Sequence, residues 1–257
     1  MNIAKIFVLT ILAAISPGSL AAEKLMIAAA SDLKFCLDEI VTSFRQTHAG
    51  TDIDVIYGSS GNFKTQIEQG APYDLYFSAD IAFPRELAKA GLVSSEVQPY
   101  AIGRLVLWSL TLDASALHLS DLARADISKI AIANPQHAPY GKRAEEALRA
   151  SGTWEKVEPK LVLGENIAQT AQFVQSGNAQ VGIIALSLVL SPELAGKGSY
   201  SLVPDSLHQP LEQGFVITQR ASSNALAKKF ADYIGQPATR QLMARYGFAL
   251  PVAAIGH

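Results

Sequence analysis

Leu25 to Ala30 is an unbroken apolar run, and at Ser31-Asp32 the pattern changes. From there Leu33, Leu37, Ile40, Val41 and Phe44 recur at the three- and four-residue spacing of one helix face, which predicts a helix ending near His48-Ala49-Gly50. The alternation then repeats. Ile53 to Tyr57 reads as a strand and Asn62 to Gln69 as a helix with Phe63 and Ile67 inward. Asp74 to Phe77 reads as a third strand, and Ile81 to Ala90 as a helix closed by Gly91. This βαβαβα order predicts a mostly parallel sheet covered by helices on both faces.

The rhythm changes after Gly103. Arg104 to Trp108 is a strand and Asp121 to Ala125 a short helical piece. Lys129 to Ala133 is a strand that leads into a helix over Gly141 to Ala150, with Ala144, Ala147 and Leu148 inward. Leu161 to Leu163, a helix through Val174, and the apolar strand Gln180 to Ala185 complete a second unit with its own core. The chain returns through Leu211 to Thr218 and finishes with helices Asn224 to Ile234 and Ala238 to Tyr246. Two α/β lobes joined by more than one crossing follow, with crossings near Ile102-Gly103 and Gln213-Gly214. Residues 23–102 and 215–257 would form lobe I and residues 103–214 lobe II. No internal sequence repeat is visible.

Residues 1–22 read as a secretory signal: Lys5, an apolar stretch from Ile6 to Ile15, a break at Pro17-Gly18, and a small-x-small site at Ser19-Leu20-Ala21. The apolar stretch is too short for a membrane span of about 20 residues. The exported chain would keep about 235 residues, enough for two lobes of ordinary size. A formal net charge of −2 with no basic block disfavours nucleic-acid or anionic-membrane partners. Cys36 is the one cysteine, so no internal disulfide can form; flanked by Phe35, Leu37 and Ile40, it reads as a small buried apolar residue.

The chemistry lies at the strand-to-helix turns. A helix start leaves backbone N–H groups without intrahelical acceptors, and the helix dipole adds partial positive charge there. Such ends bind anions without any cationic side chain. Ser31, Ser59-Ser60-Gly61, Pro139-Tyr140-Gly141 and Glu165-Asn166-Ile167 each stand at such a start. Alone, each is an ordinary cap or turn; strand ends on one side of a parallel sheet bring them together. Asp32 is awkward beside an anion. Its carboxylate is expected to face the helix N-terminus or solvent, so that only its N–H approaches the ligand. Enzyme readings fare poorly. Gly58-Ser59-Ser60-Gly61 lacks the Gly-x-Ser-x-Gly elbow, and the five histidines have no zinc spacing. His137, near the proposed site, reads as a solvated or backbone-bonded loop residue.

In combination these motifs resemble the periplasmic molybdate-binding proteins of ABC transporters, which have the two-lobed type II periplasmic binding protein fold. The similar segments are Ala28-Ala29-Ala30-Ser31-Asp32-Leu33, Tyr57-Gly58-Ser59-Ser60-Gly61 and Gly70-Ala71-Pro72-Tyr73-Asp74-Leu75. Ala131-Ile132-Ala133-Asn134-Pro135, Ala138-Pro139-Tyr140-Gly141, Val181-Gly182-Ile183-Ile184 and Arg245-Tyr246-Gly247-Phe248 extend the likeness over essentially the whole exported chain. The resemblance implies an α/β fold with the ligand in the interlobe cleft, and places oxyanion contacts at Ser31, Asp32, Ser59, Ser60, Tyr140 and Ile167. Molybdate or tungstate would be held through its oxygens, with no protein ligand to the metal and no cofactor. Some members use a tyrosine hydroxyl where this chain has Ala185; the Tyr140 hydroxyl is expected to replace that donor. A periplasmic monomer serving a membrane permease and its ATPase is implied, not an enzyme. Sulfate, phosphate or another small oxyanion remains the alternative ligand.

Overall fold

The computed structural model describes residues 23–250, so the expected signal segment, residues 1–22, lies outside the described residues. The chain begins with β1 (Glu23–Ala30), a single 3-10 turn over Ser31–Leu33, and α1 (Lys34–Thr47). β2 (Thr51–Gly58), α2 (Ser60–Glu68), β3 (Leu75–Ser78), α3 (Ala82–Lys89) and β4 (Gln98–Gly103) follow. The second lobe opens with β5 (Leu105–Ser109) and continues through β6 (Ile130–Ala133), α4 (Pro139–Ala150) and the short α5 (Trp154–Val157). β7 (Leu161–Gly164), α6 (Ile167–Gln175), β8 (Val181–Ala185), α7 (Leu186–Val189) and β9 (Ser199–Leu202) complete it. β10 (Leu211–Ile217), α8 (Ala225–Ile234) and α9 (Pro237–Arg245) return the chain to the first lobe.

The strand order is β2-β1-β3-β10-β4 in the first sheet and β7-β6-β8-β5-β9 in the second. The two orders are the same design. In each, three strands pair in parallel, and the strand that follows an interlobe crossing inserts antiparallel between the third parallel strand and the edge. The repeat is structural and leaves no trace in the sequence, because only burial and direction are shared.

Local chemistry explains the elements. β1 lies between β2 and β3, which is why it reads as a continuous apolar run, with Leu25, Ile27, Ala28 and Ala29 fully buried. Edge strand β2 instead alternates, burying Ile53 and exposing Asp52 and Asp54. α1 buries Cys36, Leu37, Ile40, Val41 and Phe44, and the chain turns at Gly50 with φ +80°, a conformation that favours glycine. One face of the first sheet packs on α1, α8 and α9 through Phe44, Phe77, Phe215 and Phe230; the other packs on α2 and α3 through Phe63, Ile67, Tyr76 and Leu87. The second lobe closes around Trp108, Ile132, Leu148 and Ile183.

Three differences from the sequence reading have physical causes. β4 and β9 were not anticipated: both are edge strands, β9 half-exposed and β4 beginning with exposed Gln98 and Pro99, and Pro99 is tolerated because an edge strand can leave one N–H position unpaired. α2 and α4 begin two residues before the apolar pattern does, since the first turn is defined by its free N–H groups and not by a buried face. The return crossing spans residues 203–210, upstream of the expected Gln213-Gly214. Gln213 and Gly214 sit inside β10 of the first sheet, where a shift in register between them gives the break that the sequence suggests. The two crossings are neighbours, with Gly103 paired to Leu211.

α4 is set directly on the end of β6. A Cβ on Gly141 would come within 2.0 Å of the Ala133 carbonyl oxygen, a backbone atom that cannot swing aside. Gly141→Ala is expected to destabilise the protein by about 1–3 kcal/mol through overpacking, read as a lower urea midpoint. An unchanged midpoint would mean that the α4 start can shift freely.

Candidate functional site

The parallel strands of both sheets point their carboxyl ends at the cleft between the lobes. There Ala30, Ser31, Asp32, Gly58, Ser59, Ser60 and Ala79 of the first lobe meet Ala138, Pro139, Tyr140, Asn166 and Ile167 of the second around one small cavity. Ser31, Asp32, Ser59, Ser60, Tyr140 and Ile167, the six expected contacts, all line it, whereas Gly61, Gly141, Glu165 and His137 do not. The 3-10 turn before α1 and the starts of α2, α4 and α6 all converge on this point. No Lys or Arg is in the lining, and Asp32 is its one carboxylate.

Each hydroxyl has a defined place. The Ser60 hydroxyl oxygen accepts the Ala79 N–H at 3.0 Å, which leaves its own proton to donate. Tyr76 holds the same turn by donating its hydroxyl to the Ser60 carbonyl at 2.7 Å. Ser59, at the N-cap of α2, makes no capping bond. It donates instead across the cleft to the His137 carbonyl, and its oxygen lies 2.9 Å from His137 Nδ1. His137 is therefore an interlobe contact, bonded to both Ser59 and the Gly61 N–H. Ser31 donates to Asn166 Oδ1 at 3.1 Å and accepts from the Ala168 N–H at 3.2 Å, so it too bridges the lobes. Asn166 caps α6 by accepting from the Ala168 and Gln169 N–H groups, which leaves the Ile167 N–H, one position earlier, outside the cap. Pro139 at the first position of α4 makes Tyr140 the first residue of that helix with an N–H to offer.

Of the two orientations expected for the Asp32 carboxylate, toward the helix start or toward solvent, the structure excludes the second. Its side chain is 1% exposed and does not face solvent. Oδ2 accepts from the Tyr140 hydroxyl at 3.0 Å and from Gln213 Nε2 at 2.7 Å, while Oδ1 has no partner. Burial pushes its carboxyl up to about 6; the bonds from Gln213 and Tyr140 and the N–H groups of Asp32 and Leu33 pull the other way. Ser187 of α7 adds an interlobe bond to the Asp32 carbonyl at 2.8 Å. The Tyr140 hydroxyl thus donates to Asp32 and accepts from Gln213 at 3.1 Å, so its one proton is committed to the carboxylate. It does not supply the donor missing at Ala185. Burial and the Asp32 carboxylate hold this phenol well above its ordinary range, and it stays a donor.

Sequence reasoning placed Asn166 at a helix start without giving its side chain a role, and did not single out Gln213 as a functional residue. Asn166 has a signal, an Asn directly before an apolar-periodic helix. Gln213 has one only in hindsight: a polar residue in a strand otherwise buried, fully inaccessible, with Oε1 unpartnered.

The folded-state pKa of Asp32 lies above its ordinary 3.8. Stability from this group is therefore full below about pH 4 and is lost as pH rises through about 6. Asp32→Asn is expected to stabilise the protein by up to about 3 kcal/mol at pH 8 and to be nearly neutral at pH 4. Urea titrations of both proteins at the two pH values measure this, and an equal effect at both would contradict it.

Comparison with known proteins agrees with this architecture. Residues 25–249 match the family described as bacterial extracellular solute-binding protein. The chain is 36% identical to the molybdate-binding protein ModA of Rhodobacter capsulatus over 203 residues, 77% of this chain and 78% of that one. It is 34% identical to the molybdate-binding protein ModA of Azotobacter vinelandii over 234 residues, covering 89% and 91%. The solved structure of the Azotobacter vinelandii periplasmic molybdate-binding protein superposes with a TM-score of 0.81 at 30% identity, over 89% of this chain and 100% of that one. The sulfate-binding protein SubI of Mycobacterium tuberculosis, at 15% identity and a TM-score of 0.72, shares the fold alone. With two like-built lobes, an interlobe cavity and a match over nearly its whole length, the chain belongs to the bacterial extracellular solute-binding proteins.

Proposed function

We propose that this protein captures molybdate, and tungstate with it, between its two lobes and hands the anion to the membrane permease of an ABC transporter. One observation carries the reading: helix starts from both lobes and the serine hydroxyls beside them line one cavity that has no Lys or Arg, in a chain 34–36% identical to molybdate-binding proteins. A tetrahedral dianion has only acceptor oxygens, and donors already aimed inward replace its water with charge-assisted hydrogen bonds. The contacts we assign are the hydroxyl groups of Ser31, Ser59 and Ser60 and the N–H groups of Asp32, Tyr140 and Ile167. Ser59 and Ser31 are engaged across the cleft, so binding would exchange those bonds for bonds to the anion. The protein's part is reversible binding and release of an unchanged ligand, with no covalent step. The signal-like residues 1–22 and the periplasmic relative support action in the periplasm. No helix among the described residues is long and apolar enough to cross a membrane.

Closure about the paired crossings at Gly103 and Leu211 would enclose the anion. Small-angle scattering should then give a smaller radius of gyration with saturating molybdate than without; identical profiles would contradict hinge closure.

Ser60→Ala removes a donor whose proton has no acceptor among the described residues. It is expected to weaken molybdate binding by one to two decades, the worth of one charge-assisted bond of roughly 1.5–3 kcal/mol. Ser31→Ala should weaken it too, and it also loses the bridge to Asn166. Calorimetric titration of the three proteins measures this, and unchanged affinity in both variants would move the site elsewhere. In the same instrument molybdate and tungstate should bind far more tightly than sulfate. Sulfate has the same charge and shape but shorter bonds, so rigid donors cannot all reach it. Sulfate competing at concentrations comparable to molybdate would favour the sulfate reading.

A further inference from the structure

The carboxyl group of Asp32 is the one charge lining the cavity, and nothing in the lining balances it. It is 1% exposed, on the turn that closes the site, and its Oδ1 has no hydrogen-bond partner. The groups around it are neutral. Tyr140 comes from α4 and Gln213 from β10, and α7 offers the Ser187 hydroxyl to its carbonyl. Cys36 of α1 and Tyr100 of β4 are the other titratable groups in electrostatic range, and burial holds both in their protonated forms. From α2 and α6 come Ser59, Ser60, Asn166 and Ile167. At the cleft rim Arg143 bonds Asp80 and Glu146, and the His137 ring lies 3.5 Å from Glu165. Arg245, the cation beyond Cys36, is bonded to Glu39.

Resting on the molybdate reading above, the geometry points to a second ligand for this site: we infer that the oxyanion binds together with one proton, which is taken up by Asp32. A dianion beside an ionised, buried carboxylate would put three negative charges in a low-dielectric cavity without a cation. Helix starts offset the anion's charge but do not offset both. Protonating the carboxylate removes one charge and adds no volume. The balance is simple: carboxylate, one proton from solvent and the dianion give a carboxylic acid and the bound dianion, with no bond to the anion made or broken. Oδ2 already accepts from Tyr140 and Gln213, so Oδ1, the oxygen without a partner, is where the proton goes. A donor then replaces an orphaned acceptor in a cavity whose ligand only accepts. In the free protein burial already holds this carboxyl near 6, so little further displacement is needed near neutral pH.

The test is calorimetric titration of the intact exported chain with sodium molybdate, from pH 6 to 8, in buffers of different ionisation enthalpy. Uptake approaching one proton per anion is expected near pH 7, with the dissociation constant rising up to tenfold per pH unit above about pH 6. Asp32→Asn mimics the protonated acid: its uptake should vanish and its affinity should become flat with pH. The variant also separates uptake by the protein from any protonation of molybdate itself. Infrared difference spectra supply a second readout, a protonated-carboxyl C=O band that appears on binding and is missing in Asp32→Asn. If the observed enthalpy is the same in every buffer, or uptake persists in Asp32→Asn, the inference is wrong while the molybdate reading stands. The buffer series on the unsubstituted protein decides the matter even if the variant does not fold. Absence of molybdate binding at any pH would remove the functional reading and this inference with it.

Discussion

Helix starts with unmet N–H groups are the constraint around which the molecule is arranged. Each helix leaves its first donors without acceptors, and a buried donor without a partner costs free energy. In an isolated βα unit water would satisfy them. Here the 3-10 turn and the starts of α2, α4 and α6 face one interlobe cavity, where the lobes largely exclude water. Some of the demand is met across the cleft: Ser31 accepts from Ala168, and the His137 carbonyl accepts from Gly61. The rest remains as a concentration of positive potential. The fold concentrates this potential because parallel strands put every strand-to-helix turn on the same side of a sheet.

The contacts between the lobes belong to the same arrangement. Tyr140 reaches from α4 to Asp32, and Gln213 reaches from β10 to both. This approach requires Gly103, where a Cβ would lie 2.2 Å from the Tyr140 hydroxyl. The crossing strands, the buried carboxylate and the first turn of α4 are thus one hydrogen-bonded unit. Any movement of the lobes about Gly103 and Leu211 must act on it. Within such a unit a change of charge at Asp32 and a change of lobe angle are not independent, since Oδ2 serves both lobes.

Much of this was legible in the residues. The apolar run of β1 and the helical stripe of α1 marked a buried parallel strand and its helix, because burial on both faces leaves no polar alternation. Ser31, Ser59-Ser60, Tyr140 and Ile167 stood at helix starts, and all of them line one cavity. Edge strands β4 and β9 were not legible: β9 is half-exposed, and in β4 exposed Gln98 and Pro99 run into buried Tyr100 and Ala101 without a two-residue alternation. The place of the return crossing was hidden by the bulge at Gln213-Gly214, which resembles a break in any pattern-based reading. The direction of two side chains was not legible either. Asp32 and Tyr140 are separated by 108 residues, and each satisfies the other.

The sequence by itself determined the periodicities, the glycine and proline positions, the hydroxyls at helix starts and the lack of a basic patch. Those are local properties, set by sterics and hydrogen bonding within a few residues. Only the tertiary structure decided which orphaned donors share a cavity, that the Tyr140 proton is committed to Asp32, and that Asp32 lies buried with one oxygen unpaired. These depend on distances between residues far apart in the chain. A carboxylate's charge depends on its dielectric surroundings, and those exist only once both lobes are packed around it.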